Sequence, residues 1–275
     1  MAITAGYGKL KLLGQSRSAV LQIRRCLVRA DGHSRALLSI APCEEQVLSS
    51  EEQDHIGGPI DIAKMIVERD LSILASDGIA LRADIYRPDD SDAAPLPAIM
   101  VLGPYGKGVE YKEGYKLQWD WILKQHPRLL PGSTKSYMTW ETIDPELWTS
   151  WGYICVRVDS RGTGRSPGRL EIFSPREVKD YAEAIEWAGA QPWCNGKVGL
   201  CGISYYAMNQ WQVAALQPRH LTAMIPWEGA MDWYRDLHRH GGIMSNAFLE
   251  SWYDAQVVRN QHGQIVVECR YQNQS

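Results

Sequence analysis

Lys197-Val-Gly-Leu-Cys-Gly-Ile-Ser-Tyr-Tyr-Ala207 carries the sharpest structural signal in this 275-residue chain. Up to Gly202 it is a short apolar run of strand length, and beyond Ser204 a helical pattern continues to Leu216 and stops before Pro218. A serine at such a strand-to-helix junction stands on a strained turn that lifts its hydroxyl above the sheet, provided small residues let strand and helix approach. Gly202 lies two residues before Ser204, while Tyr206 occupies the place where a second glycine is usual and the small Ala207 follows one position later. The alternative is an ordinary serine N-cap. The apolar strand in front of Ser204 favours the nucleophile.

On the N-terminal side, Ser174-Pro-Arg-Glu177 has the form of a capping box, with the Ser174 hydroxyl available to the Glu177 amide, Pro175 preset for the first turn and Glu177 reaching back. Val178, Tyr181, Ala182, Ile185 and Ala188 then fall at helical spacing until Gln191-Pro192. Further upstream, Pro97 to Gly103 and Tyr153 to Asp159 are apolar runs of buried-strand type. Leu71, Ile73 and Ala75, a turn at Asp77-Gly78, and Leu81, Ala83 and Ile85 describe an antiparallel hairpin. Downstream, Leu221 to Ile225 is another strand. Strands alternating with helices predict an α/β protein, a mostly parallel sheet with helices on both faces.

Gly162-Thr-Gly-Arg-Ser-Pro-Gly168 follows the Asp159 strand but departs from the dinucleotide fingerprint in spacing, and Pro167 comes before any helix. The expectation is a structural loop in which Arg161 pairs with Asp159. Pro104-Tyr-Gly-Lys107 follows its strand at the place that supplies part of an oxyanion hole, so Tyr105 is either a phenol donor or a plain loop aromatic.

Composition narrows the classes. A net charge of -3 offers nothing to a nucleic-acid backbone, and no apolar run is long enough to cross a membrane. The cysteines at 26, 43, 155, 194, 201 and 269 include no CxxC and no Cys/His pair at zinc spacing, so neither metal nor cofactor is expected. Cys155 and Cys201 lie in strand-like runs and read as buried thiols of a reducing compartment. The chain holds 11 Trp and 13 Tyr against 2 Phe. Trp119, Trp121, Trp140, Trp148 and Trp151 either line a pocket or pack the long segment between two strands, with packing favoured. Residues 1–42 carry seven basic side chains against Asp31 alone. That composition resembles an organelle transit segment, with an untargeted extension left open. The expected location is cytoplasmic, or the mitochondrial matrix if this segment targets the chain.

Taken in order, Ser76 to Pro88 (SDGIALRADIYRP), Pro104-Tyr-Gly-Lys107, Asp159 to Ser166 (DSRGTGRS), Trp193 to Gly199 (WCNGKVG), Gly202-Ile-Ser-Tyr205 and Pro226 to Arg235 (PWEGAMDWYR) resemble the Xaa-Pro dipeptidyl-peptidase-like hydrolases of the CocE/NonD type. The resemblance covers about residues 66 to 260. It implies an α/β-hydrolase fold, Ser204 as nucleophile, the Tyr205 backbone N–H and the Tyr105 hydroxyl as oxyanion donors, and an acyl-enzyme formed on small ester or amide substrates. It also implies that the Tyr206 departure is normal in this group.

A serine nucleophile needs an acid and a histidine after it in this fold. Only His220, His238, His240 and His262 follow Ser204, and the family carries both partners beyond a helical cap. The chain is therefore expected to be truncated after about the sixth strand and the start of the cap, and a catalytically incomplete fragment or non-enzymatic paralogue is the rival reading. Asp254 with His262 is the disfavoured local triad, and His238 and His240 are expected at the surface. The predicted organisation is a poorly ordered extension and acidic linker over 1–55, a partial α/β-hydrolase core over 56–230, and the beginning of a cap with a divergent tail over 231–275. Substrate and oligomeric state are not specified by the sequence.

Overall fold

The computed structural model describes residues 64–126 and 132–261. The basic extension, the acidic linker, His262 and the tail lie outside them.

Strand β1 (Met65–Leu74) pairs with β2 (Ala80–Pro88) as the expected antiparallel hairpin, with Leu71 opposite Ala83 and Ile73 opposite Leu81. Its turn works because Gly78 takes φ +88°, a value open to glycine, while the Ala75 amide bonds the Ile79 carbonyl. The chain then forms β3 (Leu96–Gly103), the short helices α1 (Tyr111–Gly114), α2 (Lys116–Gln125) and α3 (Pro145–Ser150), and β4 (Ile154–Asp159). Helix α4 (Pro175–Gly189), β5 (Cys194–Ile203), α5 (Tyr205–Ala215) and β6 (Leu221–Trp227) follow.

The six strands lie in the order β1-β2-β4-β3-β5-β6, with β4, β3, β5 and β6 parallel, β2 antiparallel to β4, and β1 antiparallel to β2. The chain leaves β3 for β4 on one side, then crosses back through α4 to β5 on the other. The carboxyl ends of β3 and β5 therefore flank a topological switch point, where α/β sheets place their ligands.

Side-chain alternation along the strands builds two cores. Ala98, Met100 and Leu102 of β3, Val156 and Val158 of β4, and Val198 and Leu200 of β5 pack against Tyr181, Ala184, Ile185 and Ala188 of α4. Ile99, Cys155 and Cys201 point the other way, onto Trp148 of α3 and Tyr86. Helices thus cover both faces, as predicted, and each fully buried Leu, Ile, Val or Met contributes roughly 1.5–3 kcal/mol. Cys155 and Cys201 are buried free thiols, and burial pushes the Cys201 thiol up to about 12, which keeps it protonated and inert.

Four local expectations need correction. Ser174 does cap α4, its hydroxyl accepting the Glu177 amide at 3.2 Å, but Glu177 reaches back to the Phe173 amide (2.7 Å) rather than to that of Ser174. Arg161 does not pair with Asp159. It grips Asp180 and Asp77 at 2.9 Å each, because Asp159 is enclosed and already bonded to other donors. The five tryptophans are not one cluster: Trp119 and Trp140 pack around Tyr111, Trp148 packs with Trp151, and Trp121 stays exposed. The segment after β6 is also less regular than a plain helical cap. It holds a π-helical turn (Trp233–His238), a two-stranded ribbon of β7 (Arg239–His240) and β8 (Ile243–Met244), α6 (Asn246–Trp252) and further helical turns to Asn260. Its end returns to the core through buried Val257 and a 3.0 Å bond from the Gly164 amide to the Asn260 carbonyl.

Candidate active site

Ser204 sits between β5 and α5 at φ +55° and ψ −113°, a conformation that non-glycine residues adopt only when their surroundings over-determine it. Backbone hydrogen bonds form one part of those surroundings. The Ser204 amide donates to the Trp227 carbonyl (3.1 Å), the Ile203 amide donates to the Glu141 carbonyl (3.2 Å), and the Ser204 carbonyl accepts from Ala207 and Met208. Gly202 is required for contact, since a Cβ there would run into the Cβ of Tyr206. The tyrosine that breaks the expected glycine spacing is accommodated by the glycine before the serine. Although Ser204 holds the N-cap position of α5, its side chain makes no capping bond. The hydroxyl is therefore not spent on the helix end and lies beside the Tyr105 phenol, and the residue is only half-buried.

Tyr105 lies in the loop that leaves the adjacent strand β3, is 2% exposed, and meets the rings of Tyr205 and Tyr206 edge-on at 5.9 and 5.4 Å. Burial pushes its phenol well above the ordinary value, with the Glu141 carboxylate adding to the rise and the nearby Trp252 and Ser204 side chains opposing it. The phenol therefore keeps its proton. Trp252 of α6 donates its indole N–H to the Tyr105 oxygen at 3.1 Å, so an oxygen lone pair is occupied and the phenolic hydrogen is directed elsewhere. The Tyr205 amide, first in α5, has no partner within the helix. The two donors expected from the sequence thus flank the serine, and Trp252, which sequence reasoning missed, orients one of them. Nothing in the sequence joins residues 105 and 252; only a contact map does.

The Pro104-Tyr-Gly-Lys107 loop is held from beneath by charge. Lys107 is 3% exposed; its ammonium lies 2.8 Å from Asp84, 2.5 Å from Asp70 and 3.8 Å from Asp159. Burial disfavours its charge, but Asp159 and Asp84 outweigh that and hold its pKa above the ordinary value. Asp159 also accepts the Lys107 amide at 2.6 Å and the Arg165 amide at 2.9 Å. The glycine-rich loop after β4 thus wraps a buried carboxylate of its own chain; a Cβ on Gly164 would strike it.

Histidine is what the site lacks among the described residues. His220 is at the start of β6, at the opposite end of the β5/β6 pair from Ser204, and pairs with Glu186 at 2.8 Å. His238, His240 and Asp254 are exposed, and the Ser204 hydroxyl has no hydrogen-bonded histidine among the described residues.

A serine on a strained β–α turn at the switch point of a mostly parallel sheet, flanked by buried donors, defines an α/β-hydrolase-type protein. Residues 77–268 match the X-Pro dipeptidyl-peptidase (S15 family) domain, and the chain belongs to that family. It is 31% identical over 194 residues to a putative serine esterase of Mycobacterium bovis, covering 69% of this chain and 29% of the relative. It is 31% identical over 177 residues to the cocaine esterase of a Rhodococcus species, covering 64% of this chain and 26% of that enzyme. Among solved structures, a CocE/NonD family hydrolase from Staphylococcus aureus superposes with a TM-score of 0.61 at 37% identity, covering 72% of this chain and 34% of that one. The chain therefore spans about a third or less of the length of these relatives. Membership makes it a hydrolase-family protein. No described helix is long and apolar enough to cross a membrane.

Proposed function

We propose that Ser204 attacks the carbonyl of a small ester or amide substrate to form an acyl-enzyme, with the Tyr105 hydroxyl and the Tyr205 amide stabilising the oxyanion. The observation that carries this is the Ser204 backbone at φ +55°, strained and yet spending its hydroxyl on no cap. Strain of about 1–3 kcal/mol at a residue whose side chain makes no capping bond is accounted for by presentation of that side chain. The esterase and peptidase names of the relatives support the same bond classes. No described histidine meets Ser204, so this reading calls for a proton acceptor outside the described residues.

A second reading, that this chain is catalytically incomplete, is favoured by one observation: His220 is committed to Glu186 at the far end of the strand pair. Labelling the folded 275-residue chain with a fluorophosphonate separates the two. Label that vanishes in Ser204→Ala and slows about 10²–10³-fold in Tyr105→Phe supports the acyl-enzyme, since one oxyanion donor is worth about 3 kcal/mol. Label that persists in Ser204→Ala removes Ser204 from the chemistry. No label in a chain with a cooperative melt assigns it to the incomplete class.

A further inference from the structure

Glu177 is 5% exposed and takes three hydrogen bonds from three separate segments. Ser160, just past β4, donates its hydroxyl at 2.6 Å; Phe173 donates its amide at 2.7 Å; and Tyr205, the residue after Ser204, donates its phenol at 2.6 Å. Three donors and no acceptor fit a carboxylate. The Tyr205 ring is itself 0% exposed, lies 4.0 Å from Phe173 between centroids, and faces Tyr105 and Trp252. Phe173 holds φ +55°, so a second strained residue is pinned by the same carboxylate.

On its N-terminal side the Ser204 turn is fixed by backbone bonds to Glu141 and Trp227. On its C-terminal side the Ala207 and Met208 amides hold the Ser204 carbonyl, and the side-chain anchor is the Tyr205 phenol on Glu177. We propose that Glu177 is a positioning residue for the Ser204 turn: through the Tyr205 phenol it fixes the direction of the Tyr205 amide and the exposure of the Ser204 hydroxyl. It touches neither substrate nor reacting atom. The inference deepens the acyl-enzyme reading and rests on it for its catalytic consequence, while its structural content stands by itself.

Two measurements on the 275-residue chain test it. Amide hydrogen exchange of a peptide covering residues 202–208, which holds the bonded amides of Ser204, Ala207 and Met208, should speed at least about tenfold in Glu177→Ala, with peptides of β2 and β4 unchanged. Fluorophosphonate labelling should slow about 10–100-fold in Glu177→Ala and less in Glu177→Gln, whose amide retains an acceptor and can donate to hydroxyls that turn. Adding Tyr205→Phe to Glu177→Ala should slow labelling no more than about twofold further, because the bond that Tyr205→Phe removes is already broken in Glu177→Ala. Exchange over 202–208 that stays at the wild-type rate in both Glu177 variants overturns the inference, as does additivity of the two substitutions. If the wild type takes no label but the exchange responds as stated, the positioning holds and the acyl-enzyme reading fails. Should Glu177→Ala not fold, Glu177→Gln carries the same exchange comparison.

Discussion

Strand β5 is hydrogen-bonded on both sides and ends in a turn held by Glu141, Trp227 and Glu177, whereas among the described residues its neighbour β6 is bonded on one side and remains half-exposed from Leu221 to Pro226. At the β5 end several buried polar groups are met by fixed partners: Asp159 by two amides, Glu177 by three donors, Tyr105 by Trp252. At the end of β6 and beyond it, Trp227, Met231, Tyr234, Ile243 and Phe248 expose large apolar surfaces. Saturated buried polar groups have one low-energy arrangement, so the site end is geometrically fixed. An edge with open backbone groups and uncovered apolar side chains has several. The same sheet thus carries a rigid half and a permissive one, and substitutions should fall unequally on them.

The largest effect is expected at Lys107→Met. It leaves Asp159 buried without its cation, and loss of one member of a buried pair costs about 3–5 kcal/mol, read as a lowered urea midpoint. A midpoint within error of wild type would mean that the loop is held by packing alone. Next comes Glu141, whose carboxyl is pushed up to about 8 by burial first and by the neighbouring Glu228, with Tyr105, Tyr111 and Tyr115 also facing it. The folded chain keeps this proton to about pH 8, while the unfolded chain releases it near 4.5. The folded state therefore binds more protons in that window, and stability falls as pH rises through it, by at most about 1.4 kcal/mol per pH unit. Glu141→Gln should flatten urea midpoints measured from pH 5 to 8.5; an equal slope in both proteins would place the titration elsewhere. The smallest effect belongs to Trp227→Ser on the permissive side. Its indole is 51% exposed, and its contribution to the Ser204 turn is a backbone carbonyl, so the change should stay within about 0.5 kcal/mol. A loss of 2 kcal/mol or more there would erase the contrast between the halves.

Strand and helix placement was legible because periodicity is a local property. Leu71 and Ile73 met Ala83 and Leu81 as alternation required, the Ser174 cap formed, and Ser204 landed on its turn. Charge partners were less legible. Arg161 was assigned to Asp159 because they are two residues apart, yet Lys107, 52 positions away along the chain, took the buried carboxylate. Sequence proximity says little about which cation fits an enclosed anion. Glu177 was recognised as a capping residue and proved instead to join the capping loop to the serine turn.

The sequence by itself determined the α/β alternation, the family through its ordered motifs, and Ser204 as the residue at the strained junction, since each is written in local pattern or short spacing. The tertiary structure alone decided that Trp252 caps the Tyr105 phenol, that Lys107 lies beneath its loop, that Glu177 grips Tyr205, and that His220 faces away from Ser204. Those contacts depend on strand order and on which groups remain unsatisfied after burial. Both are properties of the packed chain, and no segment of the sequence carries them separately.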